Sequence, residues 1–144
     1  MTLLNEEKTM PTFTNPNDDA EEAREALRGL AHATRSIDDP TDIYPVLGAL
    51  TNGLTSLAQA LHQLGDFHDG PALQRTWISN DARKGRSASY QVSWELHRAA
   101  EMLHQVAETI DRAHEAEATI AYDSTDFPTA RPTDRLSLDH GIGL

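Results

Sequence analysis

From Ile43 to Gly65 the chain carries no Asp, Glu, Lys or Arg, yet Leu47, Leu50, Leu54, Leu57, Leu61 and Leu64 recur through it at steps of three and four. That spacing lines one face of an α-helix. A helix with one face in a core normally turns Lys and Glu outward. This one turns out Gly48, Asn52, Thr55, Ser56, Gln59 and His62 instead. Asn, Gln, His and several Thr make the polar load too high for a membrane span. The missing charge therefore predicts a helix covered on more than one side, by its own chain or by another molecule. Small residues let backbones approach closely, so Gly48, Asn52, Thr55, Ser56 and Gln59 form the candidate association surface, and a homodimer is expected.

Two further segments share the period. Ala20, Ala23, Leu27, Leu30, Thr34 and Ile37 predict a helix over about 18–38, capped by Asn17 or Asp18 and ended before Pro40. Val92, Leu96, Ala99, Leu103, Val106 and Ile110 predict a long one over about 87–121, roughly 50 Å at 1.5 Å per residue. The charge-free helix should span about 42–64, with Thr41 or Asp42 as cap, Pro45 in its first turn and Gly65 as its left-handed end. A short helix is expected over 71–79, followed by a basic loop, Asn80 to Arg86. No segment alternates apolar and polar residues as a strand does. Ala100, Met102, Ala107 and Ala116 beside the long helix's stripe widen it beyond a coiled-coil seam. The expected fold is thus all-α, an antiparallel three- to four-helix bundle with one long C-terminal helix. Residues 17–121 form the bundle, and 1–16 and 122–144 are expected as disordered tails, because neither buries enough apolar surface to offset ordering.

The chain is acidic, with 23 Asp plus Glu against 12 Lys plus Arg and a formal charge of −11 over 144 residues. Nucleic-acid backbone and anionic lipid are repelled at long range by such a chain, so neither is expected as a partner. Arg75, Arg83, Lys84 and Arg86 beside Trp77 make the one basic patch, too small to reverse that field. With no cysteine, disulfides and thiolate metal sites are excluded. The acidic start, Met1 to Lys8, does not have the basic n-region of a signal peptide, which predicts a cytoplasmic protein.

Candidate chemistry is sparse. His97, Glu101 and His104 stand at i, i+4 and i+7, and Glu101-x-x-His104 has the spacing used by carboxylate-bridged metal bundles. Such sites need facing carboxylates, and residues 43–65 contain none, so these three are expected on a solvated face opposite the Leu96–Leu103–Ile110 stripe. No Ser, His and Asp are placed as a nucleophile with its base, and no glycine-rich phosphate loop occurs. Neither a catalytic residue nor a cofactor is expected. Trp77, Trp94 and Tyr90 are expected to fill the junction between connector and long helix. If Trp77 is exposed instead, it is the natural anchor for a protein partner.

Two resemblances add to this reading. Ala31-His-Ala-Thr-Arg35, Asp39-Pro-Thr-Asp-Ile-Tyr44 and Val46-Leu-Gly-Ala-Leu50 resemble uncharacterised small helical proteins encoded on bacterial plasmids and integrative elements, mainly over residues 27–64. That likeness implies a helical fold and a mobile genetic context, with no site. Separately, Trp77-Ile-Ser79 in the connector and Tyr122-Asp-Ser-Thr-Asp126 after the long helix are similar to the Trp-x-Gly and Tyr-x-x-x-Asp/Glu motifs of type VII secreted helical hairpins. Ser79 replaces the glycine, and the connector is longer than a hairpin turn. This likeness implies export.

Overall fold

Asn15 opens the first helix. Its side chain accepts a hydrogen bond from the Asp18 N–H at 3.1 Å, and Pro16 follows at the first helical position, where a missing N–H costs nothing. The computed structural model describes residues 10–123 and is helical throughout, without a strand among them. α1 spans Pro16–Ala33, α2 Ile43–Asp69 and α3 Ala82–Glu117. The described residues fall into two compact units, α1 with its flanks through Asp39 in one and Pro40–Asp123 in the other.

In the first unit the helix starts earlier than expected, because Asn15 rather than Asn17 or Asp18 is the cap. The Thr12 N–H also donates to Asp19 Oδ1 at 2.6 Å, which ties the preceding turn to the helix start. α1 ends at Ala33, five residues before the expected stop at 38, with the Thr34 hydroxyl donating to the Leu30 carbonyl at 3.0 Å. None of its residues is buried.

The second unit is a helical hairpin. A 3₁₀ turn at Pro40–Asp42 leads into α2, with Pro45 in the first helical turn as expected. Tyr44 near the start of α2 stacks on His114 near the end of α3, while His68 at the other end of α2 meets Ser89 in α3. The two helices therefore run in opposite directions. The connector was expected to carry a helix over 71–79. It holds a single 3₁₀ turn, Leu73–Arg75, and then a two-residue reversal in which Ile78 and Asp81 exchange backbone hydrogen bonds of 2.8 and 3.1 Å. Ser79 and Asn80 both take positive φ, 50° and 63°, as a tight type I′ reversal requires. Though long, the connector closes a hairpin.

Both helix ends facing the connector lie beyond their expected limits. Gly65 does not stop α2. Its φ is not positive, and the helix runs one more turn to Asp69. The reason is tertiary: a Cβ on Gly65 would lie 2.8 Å from His97 Nε2, so the glycine serves close packing rather than termination. α3 begins at Ala82 instead of 87, because Asp81 caps it by accepting from the Arg83 and Lys84 N–H groups at 2.9 and 3.2 Å. Arg83, Lys84 and Arg86 thus form the first turns of a helix, not a loop.

The largest correction concerns the core. Along α2 the seam residues are Ala58 and Gly65, continued by Ala72, and along α3 they are Ser93, Ala100 and Ala107, all buried and seven residues apart. A repeat of seven small residues is the pattern of two helices in close contact. The leucines expected at the centre lie to one side: Leu57 and Leu64 are 45% and 51% exposed. The expectation that α2 is covered all round is overturned as well. A helix with one neighbour hides about a third of its circumference, and here Asn52, Thr55, Ser56 and Gln59 are exposed. The expected tails lie largely outside the described residues.

Candidate functional site

One turn either side of the seam decides what each flank carries. The residue before each seam position is apolar: Leu57 and Leu64 on α2, Val92, Ala99 and Val106 on α3. The residue after is polar or acidic: Gln59 and Asp66 on α2, Glu101 and Glu108 on α3. One residue turns a helix by about 100°, so the hairpin has a leucine-bearing flank and, opposite it, a flank of acids and histidines.

The second flank holds the chemistry. Of seven histidines in the chain, His62, His68, His97, His104 and His114 sit in or beside the seam. His62 Nδ1 lies 2.7 Å from His97 Nδ1. His62 Nε2 is 3.2 Å from Glu101 Oε1, and His97 Nε2 is 3.3 Å from Asp66 Oδ1 and 3.6 Å from Asp69 Oδ2. Two groups of three result, His62 with Glu101 and His104, and His97 with Asp66 and Asp69. Within each, the ligand-capable atoms are all within 4.8 Å of one another. Both histidines at the centre are about a third exposed, 31% for His62 and 32% for His97, while their carboxylate partners face solvent more openly.

The two groups are related by a shift of 35 residues, which takes His62 to His97, Asp66 to Glu101 and Asp69 to His104. Each helix therefore carries the spacing i, i+4, i+7, and antiparallel pairing sets the first position of one helix against the later two of the other. The correspondence differs in donor type at one point, where imidazole on α3 stands for carboxylate on α2.

His97, Glu101 and His104 were expected on a solvated face. The first and third are half-buried against α2, and only Glu101 is largely exposed. Their facing carboxylates, Asp66 and Asp69, and their facing imidazole, His62, were overlooked because α2 was ended at Gly65. The repeated i, i+4, i+7 pattern was the available signal. Of the expected association surface, Gly48 lies in the seam, where a Cβ would come within 3.2 Å of His114 Nε2, and Asn52, Thr55, Ser56 and Gln59 are open. Trp77 is 62% exposed, and Trp94 and Tyr90 are exposed also, so they do not fill the junction. Arg98 packs over the Trp94 ring at 5.3 Å.

At the opposite end of the hairpin, Pro40, Tyr44, Glu117, Ile120 and Tyr122 line an open cleft of about 270 Å³. The Tyr122 hydroxyl donates to the Glu117 carboxylate. That hydrogen bond, with some desolvation and the carboxylate's charge, pushes the phenol above its ordinary value near 10. Asp126, the other end of the Tyr-x-x-x-Asp pattern, lies outside the described residues.

No family model, curated protein or solved structure matches this chain. No helix among the described residues is long and apolar enough to cross a membrane.

Proposed function

We propose that this is a non-catalytic protein that works by association, its hairpin pairing with a second copy through the leucine-bearing flank. The observation that supports this is the exposure of Leu57, Leu64, Met102 and Val106, all between 45% and 55%, on one side of a two-helix unit. Burying a leucine-sized side chain is worth about 1.5–3 kcal/mol, so a flank of this kind strongly favours a cover. A second copy is the occupant that fits the charge. Each chain carries −11 and repels its like, but α2 offers no ionised group from 43 to 65. Two hairpins meeting there by a two-fold axis make an antiparallel four-helix bundle, the arrangement the residue pattern predicts. In this reading the protein acts in the cytoplasm, and the likeness over residues 27–64 sets it among plasmid or integrative-element proteins.

Light scattering on the full chain at tens of micromolar tests this. The expected mass is twice the 15.9 kDa of one chain. Leu57→Lys with Leu64→Lys should return it to the monomer with helical circular dichroism intact, whereas Asn52→Lys with Gln59→Lys should leave the dimer. A monomeric native protein, or a dimer indifferent to the leucine changes, overturns the proposal. A native monomer whose leucine flank exchanges hydrogen slowly would assign the cover to the chain's own α1.

One observation favours a second reading, a secreted protein of type VII hairpin kind. Trp77-Ile-Ser79 lies between two antiparallel helices, with Ser79 in the left-handed region where that motif has glycine, and Tyr122 follows directly on α3. Export into the culture medium, lost on Tyr122→Ala, is its test.

A further inference from the structure

The acid-and-histidine flank has nothing to do with association through the leucines, and its proton arithmetic leads elsewhere. A neutral imidazole has one N–H and one lone pair. At 2.7 Å, one Nδ1 of the His62–His97 pair donates and the other accepts. Where His62 donates, its Nε2 presents a lone pair beside Glu101 and His104. His97 then accepts at Nδ1 and carries its own proton on Nε2, directed at Asp66 Oδ1, 3.3 Å away. Every polar atom is satisfied, and three ligands, two nitrogens and a carboxylate, converge from two helices. Where His97 donates, the free lone pair falls among Asp66 and Asp69, and the His62 Nε2–H turns to Glu101 at 3.2 Å. The shared proton permits only one of the two groups to ligate at a time.

We propose that the hairpin binds one divalent metal ion of the zinc class through His62, Glu101 and His104, with His97 and Asp66 orienting His62 from behind. Two imidazoles and one carboxylate form the donor set that borderline-soft ions prefer, and three protein ligands leave a position for water. The alternative group offers one imidazole and two carboxylates, a harder set suited to manganese or magnesium. The backing by His97 is the outer-shell hydrogen bond that metal-bound histidines almost always make. Gly65 makes room for it, because a side chain there would meet the His97 ring.

Zinc titrated into the full chain, followed by calorimetry and by competition with a chromophoric chelator, tests this, with cobalt substitution reporting ligand type. One zinc per chain is expected. His104→Gln and His62→Gln should each lower affinity at least tenfold. His97→Ala should lower it ten- to a hundredfold, the usual effect of losing an outer-shell partner. Asp69→Asn should leave it within twofold. Helical circular dichroism on each variant separates lost ligands from lost folding, and the native protein with cobalt should give the ligand-field bands of a low-coordinate nitrogen and oxygen site. Absence of saturable zinc binding by the native chain overturns the proposal. So do two ions per chain, or binding that survives His104→Gln and disappears with Asp69→Asn.

Discussion

His62 and His97 face each other across the seam with their Nδ1 atoms 2.7 Å apart, each with its other nitrogen directed at a carboxylate, Glu101 for one and Asp66 for the other. The pair is half-buried, so each ring satisfies the other where water reaches only in part. Removing either leaves the survivor's Nδ1 without its partner. His97→Ala and His62→Ala should each destabilise the metal-free protein by about 1 kcal/mol, the usual worth of such a bond. The double variant should cost less than the two single changes added together, with a coupling of about 0.5 kcal/mol or more. Urea unfolding of the four proteins measures it, and strict additivity would show that the contact carries no energy.

Three helical glycines should respond to alanine in three ways. Gly53 has nothing within 4 Å of where a Cβ would stand, so Gly53→Ala should stabilise by about 1 kcal/mol through helix propensity alone. At Gly85 the new Cβ would penetrate the Thr76 backbone carbonyl, which belongs to the connector and cannot swing aside. Gly85→Ala should therefore destabilise by about 1–3 kcal/mol. Gly65→Ala meets only the His97 ring, a side chain able to rotate. Its thermal midpoint should change little while the His62–His97 contact, followed by imidazole NMR shifts, is lost.

This sorting of glycines marks where sequence reading succeeded and where it stopped. The three long helices were legible because Leu27–Leu30, Leu47–Leu64 and Leu96–Leu103 keep a helical period, and Pro45 falls where a helix begins. Which face packs was not legible, because period identifies an apolar stripe without saying what covers it. The largest residues drew the core to Leu57 and Leu64, whereas the helices meet on Ala58, Gly65, Ser93, Ala100 and Ala107. Gly65 misled twice. As an expected stop it shortened α2, and the lost turn contained Asp66 and Asp69, without which Glu101 and His104 had no facing partners. Local rules describe a glycine's freedom, but the close approach of His97 is a tertiary fact.

The reversal at Ser79–Asn80 stores a small cost. Ser79 has φ of 50°, where an L side chain other than Asn or Asp is disfavoured by about 1–2 kcal/mol. Glycine removes that cost and adds unfolded-state freedom worth about 0.5–1 kcal/mol. Ser79→Gly should thus raise stability by about 0.5–1 kcal/mol, and Ser79→Val should lower it. Thermal melting of both variants decides this, and a melting point unchanged by valine would mean that the turn is not held in the folded protein.

Tyr122 gives the chain one alkaline signature. Its phenol is pushed above the ordinary value because the neutral form donates to Glu117, and ionisation would set two negative charges together. A group whose folded pKa exceeds its unfolded one contributes stability that is complete below the unfolded value, near 10, and is lost as pH rises through the folded value. The contribution should therefore be full at neutral pH and fall away above about pH 10. Absorbance of the phenolate in Glu117→Gln should shift its titration to lower pH than in the native protein. Tyr122→Phe should abolish the difference in stability between the native protein and Glu117→Gln. An unchanged phenolate titration in Glu117→Gln would mean that the Tyr122–Glu117 contact does not persist in solution.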